Sequence, residues 1–117
     1  MSHHQNIAVA QSWLDAFNTR NLEKLVNLYS PDCQHVSPKL KLAQPQTNGI
    51  VSGHSALRAW WKSSFDKYAT LEYAAKSFTA DDNGVWIEYL RRAPGEPDTM
   101  VAEYLEVDSR SKLISKS

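Results

Sequence analysis

From Leu71 to the last residue, apolar and polar side chains alternate with a period of two, and the breaks between runs are only four to six residues long. Strands joined by so few residues must be antiparallel, because a parallel return needs a crossover of about a dozen residues or more. The runs are Leu71–Phe78, Val85–Arg92, Thr99–Val107 and a short one, Lys112–Ser115. Asp81-Asp82-Asn83-Gly84 between the first two reads as a hairpin turn, since Asn-Gly suits positive φ at both central positions. Pro94–Asp98 and Asp108–Ser111 supply the other turns. A parallel nucleotide-binding sheet is excluded, and no Gly-rich phosphate loop is present among only four glycines.

Before Leu71 the periodicity is helical. Ile7, Ala10, Leu14 and Phe17, with Trp13 beside them, define one apolar stripe. Asn18–Asn21 breaks it. Asn21 then suits the N-cap of a second helix, with Glu23 in its first turn and Leu22, Leu25, Val26 and Tyr29 as its buried face. Ser30-Pro31-Asp32 ends that helix, and Cys33–Ser37 reads as a short strand stopped by Pro38. Residues 38–53 form an irregular stretch. A third helix starts near His54, where Leu57, Trp60, Trp61, Ser64, Phe65 and Tyr68 follow i, i+3, i+4, i+7, i+8 and i+11. Helices first and a meander afterwards predict an α+β fold in one domain over 1–117, with helices on one face of the sheet.

Charge narrows the partners. Thirteen Lys and Arg are cancelled by thirteen Asp and Glu, so no basic face is available for nucleic acid or an anionic membrane. The acidic residues gather from Asp81 to Asp108, against Arg91 and Arg92 alone; the other basic residues lie earlier or at the C-terminus. One cysteine excludes an intramolecular disulfide framework and a multi-Cys zinc site. His35 and His54 are the only histidines beyond the His3–His4 pair and follow no ligand spacing, so neither a metal nor a cofactor is expected. No apolar run approaches a signal core or a membrane span, which makes the cytoplasm the expected setting.

Three segments carry a resemblance. They are Trp13-Leu14-Asp15-Ala16-Phe17-Asn18 running into Asn21-Leu22-Glu23-Lys24-Leu25, then Leu28-Tyr29-Ser30-Pro31-Asp32, then Gly53-His54-Ser55-Ala56-Leu57-Arg58-Ala59-Trp60-Trp61. Together they resemble the nuclear transport factor 2-like superfamily, in its branch of ketosteroid isomerases and SnoaL-type polyketide cyclases. The resemblance implies a cone-shaped roll. Three N-terminal helices pack on a curved antiparallel β-sheet that opens at one end to an apolar pocket. It also implies a homodimer paired through the sheet. The fold hosts isomerases, cyclases, hydrolases, dehydratases and non-catalytic binding modules, so it does not supply the function.

In ketosteroid isomerases a carboxylate moves the proton, while a tyrosine and a protonated carboxylic acid hold the enolate oxygen. The tyrosine position falls on Trp13, whose indole donates one hydrogen bond but is no acid. The base position falls on Ser37, so the usual base is absent, and the third position falls on Glu103. His35 shares strand parity with Ser37 and is the available acid–base group near neutral pH. Glu103 alternates with Val101, Leu105 and Val107, an otherwise apolar face, where a carboxylate needs a partner or a proton. An ion pair with Arg91 or Arg92 is the alternative for Glu103. Tyr29, Trp60, Trp61, Tyr73 and Trp86 are candidate pocket walls, together with Ser37 and Glu88.

Two readings stay open. One is an acid–base isomerase, cyclase or dehydratase acting on a small apolar carbonyl compound, with His35, Glu103 and Trp13 as its polar groups. The other is a non-catalytic ligand-binding or dimerisation module. Val85, Ile87 and Tyr89, with Met100, Ala102 and Tyr104 on the next strand, are expected on the face away from the pocket, buried in a homodimer. The resemblance puts the 38–53 segment near the mouth of the cone, as a candidate lid carrying Lys39 and Lys41.

Overall fold

A computed structural model describes residues 2–68 and 70–117. Helices α1 (Ser2–Asn18) and α2 (Leu22–Asn27) come first, then strand β1 (Tyr29–Val36). A short helix α3 (Pro38–Ala43), a 3-10 turn (Pro45–Thr47) and strand β2 (Ile50–Ser52) lead into α4 (Gly53–Lys67). Strands β3 (Glu72–Ala80), β4 (Gly84–Arg92), β5 (Thr99–Val107) and β6 (Ile114–Lys116) complete the chain. They form one six-stranded sheet in the order β2-β1-β6-β5-β4-β3. Every pairing is antiparallel except β1 with β6, which is parallel. The α+β expectation is met: helices pack on one face of a mostly antiparallel sheet. No helix among the described residues is long and apolar enough to cross a membrane.

The sequence dictates much of this locally. Asn21 caps α2 by accepting from Lys24 N at 3.1 Å, and Leu25 and Val26 of that helix are fully buried. Two asparagine amides pin α1 to the sheet. Asn6, buried, donates to the carbonyls of Asp81 (2.9 Å) and Gly84 (3.4 Å). Asn18 accepts from Tyr73 N at 2.8 Å and donates to Tyr73 O at 2.9 Å, satisfying backbone groups on edge strand β3. Between these pins Ala10, Trp13, Leu14, Ala16 and Phe17 face the core. Burying a Leu or Ile side chain there contributes about 1.5–3 kcal/mol, and Leu25, Leu57, Ile87, Leu105 and Ile114 are all sealed from solvent.

Four expectations need correction. Tyr29 does not belong to the second helix: it opens β1, which is longer than Cys33–Ser37. The 38–53 stretch is not irregular; Ser37 and Pro38 start α3, and Leu40 anchors it in the core with no exposure. The Asp81–Gly84 turn has no positive φ at Asn83 or Gly84. The Asp81 carboxylate closes it instead, accepting from the amides of Asn83 and Gly84, each at 2.8 Å. Gly84 is needed for close approach: a Cβ there would lie 2.1 Å from the carbonyl oxygen of Leu105 on β5.

The fourth correction decides the two faces of the sheet. Val85 pairs with Leu105, Ile87 with Glu103 and Tyr89 with Val101. Val85, Ile87 and Tyr89 are buried against the helices, so they stand on the inner face with Glu103. Met100, Ala102 and Tyr104 pair with Leu90, Glu88 and Trp86 and share the outer face with them. The expected grouping of Val85, Ile87 and Tyr89 with Met100, Ala102 and Tyr104 therefore fails by one residue of register between strands, which moves every side chain to the other face.

Candidate functional site

Helices α1 and α4 lie across the inner face and leave a cleft of about 1140 Å³. Its walls carry an aromatic cluster: Trp13, Phe17, Trp60, Trp61, Tyr73 and Tyr89 all line it. The rings support one another. Phe17 stacks on Tyr73 at 4.6 Å, and Tyr73 on Tyr89 at 4.4 Å between centroids. Only Glu106 and Val107 of β5 pair with β6, so on that side Thr99–Leu105 has no strand neighbour among the described residues. Trp86, Tyr104 and Glu106 of the outer face also border the cleft.

Glu103 lines the cleft from the middle of β5, between the inward-facing Val101 and Leu105 and opposite Ile87. It makes no hydrogen bond or ion pair with another described residue. The arginines considered as its partners are engaged elsewhere. Arg91 donates to Glu96 at 2.8 Å and Arg92 to Glu72 at 3.1 Å. Without a partner, desolvation is the one force acting on the carboxyl, and it pushes the pKa up to about 7. A carboxyl tuned there gains and loses a proton near neutral pH, as an acid–base catalyst must.

His35 enters the same cleft from β1, where Cys33 and His35 alternate inward with exposed Gln34 and Val36. Its Nδ1 lies 2.7 Å from Ser117 Oγ; that hydroxyl lies 2.8 Å from Tyr29 Oη, which in turn accepts from Trp13 Nε1 at 3.1 Å. The ring packs 5.5 Å from Trp61. Burial alone lowers its pKa to about 4, so the imidazole is neutral at pH 7. His35 and Glu103 thus share the cleft without bonding to each other.

The remaining sequence candidates divide by face. Trp60, Trp61 and Tyr73 line the cleft. Trp13 lines it as a ring wall, with its one donor committed to Tyr29. Tyr29 sits behind the wall, 1% exposed, and burial holds its hydroxyl well above the usual phenol range. Ser37 lines the rim and caps α3, its Oγ accepting from Leu40 N at 3.4 Å. Trp86 and Glu88 stand on the outer face. Trp86 is 47% exposed, and Glu88 accepts from Ser77 Oγ at 2.9 Å.

Sequence reasoning missed three contributors. Tyr89 and Arg91 follow Val85 and Ile87 in strand parity and would have been found from the correct register. Arg91, buried beside Tyr68, donates to Glu96, which also lies 3.5 Å from Lys39 of α3. Glu96 thereby ties the β4–β5 turn to the helix at the rim, and the Tyr68 hydroxyl first, then Arg91 and Lys39, hold its pKa down to about 2. Ser117 had no local signal, because its partners are 82 and 88 residues away. Among the described residues, no three of His, Cys, Asp and Glu gather closely enough to hold a metal ion.

Three solved structures illustrate this architecture at low sequence identity. A SnoaL-like protein of unknown function from Burkholderia thailandensis superposes with a TM-score of 0.85 at 18% identity, covering 97% of this chain and 90% of that one. A candidate ketosteroid isomerase from Kribbella flavida gives 0.76 at 19% identity, covering 98% and 76%. A candidate polyketide cyclase from Sinorhizobium meliloti gives 0.75 at 14%, covering 93% and 90%. At such identities the likeness establishes the fold alone, and no curated protein matches the chain in sequence. The family model for the SnoaL-like domain matches residues 10–109, which include the helices α2 and α4, strands β1 to β5 and both cleft residues His35 and Glu103. The chain belongs to the SnoaL-like domain family.

Proposed function

We propose that the cleft binds a small apolar carbonyl compound and relocates a proton on it, as an isomerase, cyclase or dehydratase does. Glu103 is the proton carrier. Its ionised form takes a proton from the carbon next to the carbonyl, and the resulting acid returns it at another atom. The carrying observation is a carboxyl with no partner among the described residues, facing a cleft with aromatic walls, with a pKa pushed up to about 7. This reverses the roles expected for the two groups, since a histidine with a pKa of about 4 is a weak base. Incubating the protein with 2-tetralone in D2O and following the α-proton by NMR tests the reading. Exchange above buffer that drops by about 100-fold or more in Glu103→Gln is expected. A bound ketone that exchanges no faster than in buffer, or an unchanged rate in the variant, refutes it.

The outer face supports a homodimer as part of the same proposal. Trp86 (47% exposed) and Met100 (55%) stand there with Tyr104, whose ring packs 5.0 Å from that of Trp86. The non-catalytic reading draws on a different observation. The Trp13 donor and the Tyr29 hydroxyl are spent inside the protein, so neither is free to take part in a reaction. A cytoplasmic setting belongs to the proposal, since buried, unpaired Cys33 needs no oxidising compartment.

A further inference from the structure

The hydrogen-bonded chain behind the cleft has a direction. An indole nitrogen can only donate, so Trp13 Nε1–H gives its proton to Tyr29 Oη. Tyr29, 1% exposed, has one other partner among the described residues, Ser117 Oγ at 2.8 Å. Its own proton therefore goes to Ser117, because any other arrangement strands a buried phenolic O–H. Among the described residues the Ser117 hydroxyl proton then has one acceptor within reach, His35 Nδ1 at 2.7 Å. A nitrogen that accepts carries no proton in a neutral ring, so the ring proton sits on Nε2. Nε2 has no hydrogen-bond partner among the described residues, yet it is not one of their sealed, unpartnered polar atoms. His35 lines the cleft, and this nitrogen is the one left to meet a ligand there.

We infer that Trp13, Tyr29 and Ser117 lock His35 as a neutral Nε2–H donor, which holds the carbonyl oxygen of the bound compound while Glu103 moves the proton. The inference rests on the proposed carbonyl chemistry for its purpose, though not for the tautomer. Ser117 and Tyr29 are positioning residues, acting through the imidazole. The low pKa of His35 agrees with a ring that is neutral at pH 7. A neutral donor suits an oxygen that becomes anionic: it stabilises the developing charge without surrendering its proton to the carboxylate first.

The test begins without ligand. Nitrogen-15 spectra of histidine-labelled protein at pH 7.5 should show His35 with an acceptor-type Nδ1 and a protonated Nε2. In Ser117→Ala the fixed tautomer should give way to a mixture, and likewise in Tyr29→Phe, where Ser117 no longer receives the phenolic proton and is free to accept from Nδ1–H; a tautomer unmoved by Tyr29→Phe overturns the part given to Tyr29. A proton on Nδ1 in the wild type, or a tautomer indifferent to Ser117→Ala, overturns the relay. With 2-tetralone labelled with carbon-13 at the carbonyl, binding should move that resonance downfield, and His35→Phe should abolish the shift. A saturated complex with no shift, or an equal shift in His35→Phe, overturns the donor role. If the carbonyl is polarised as expected but Glu103→Gln leaves proton exchange unchanged, the donor role stands and the reaction reading fails.

Discussion

Replacing Glu103 by Gln should make the folded protein more stable, and increasingly so as the pH rises. The unfolded carboxyl titrates near 4.5 and the folded one near 7, because the cleft strips water from the anion. A folded pKa raised above the unfolded one means that the native state binds the extra proton between these values. The stability this group permits is complete below pH 4.5 and is lost as the pH climbs through 7. A difference of 7 minus 4.5, at about 1.36 kcal/mol per pH unit, gives a loss of up to about 3 kcal/mol at pH 8. Gln keeps the shape and cannot ionise. Urea unfolding should therefore find the variant level with wild type at pH 4 and about 2–3 kcal/mol more stable at pH 8. His35 contributes the opposite slope in wild type. Its pKa falls from 6.5 to about 4, so stability rises with pH across that window. The two slopes offset one another between about pH 4.5 and 6.5, and the variant should expose the histidine slope alone. A difference between variant and wild type that is constant from pH 4 to 8 would refute the desolvated carboxyl.

Three further outcomes follow from the packing. Gly84→Ala should cost about 1–3 kcal/mol in urea unfolding, because its methyl would meet the Leu105 carbonyl at 2.1 Å and force β4 from β5; an unchanged midpoint would contradict the contact. Ser37→Ala removes the cap of α3 and should cost about 0.5–1 kcal/mol while leaving the rate of 2-tetralone exchange unaltered; a collapse of that rate would contradict a purely capping role for Ser37. Trp86→Lys on the outer face should convert a sedimenting dimer to monomer at micromolar concentration without changing the circular dichroism, whereas a wild-type monomer would remove the dimer from the account.

What the sequence made legible is what depends on neighbours along the chain. The alternation of Val101, Glu103, Leu105 and Val107 pointed to an inward carboxylate, and the structure has that parity. The stripe from Leu57 to Tyr68 became α4, with Trp61 buried in the cleft wall. Register between strands was not legible. Both faces of β4 are rich in apolar residues, Val85, Ile87 and Tyr89 on one and Trp86 and Leu90 on the other, so composition could not choose between them. The choice is made by the burial of Val85, Ile87 and Tyr89 against the helices and by the close approach of Gly84 to Leu105, which are tertiary facts. Helix α3 escaped notice because Lys39, Leu40, Lys41 and Leu42 alternate as a strand would, while a single anchor, Leu40, suffices for six residues. The relay through Ser117 joins residues from α1, β1 and the end of the chain, a juxtaposition that no spacing encodes.

The central claim is a carboxyl in the cleft that shares its proton near neutral pH. Carbon-13 labelling of the glutamate side chains, with Glu103→Gln to assign the resonance, allows that carboxyl to be titrated directly by NMR. The account predicts a midpoint of about 7 for Glu103, well above the value of 4.5 for an ordinary glutamate. A midpoint near 4.5 would contradict it, and would leave the cleft a binding pocket with an ordinary anion on its wall.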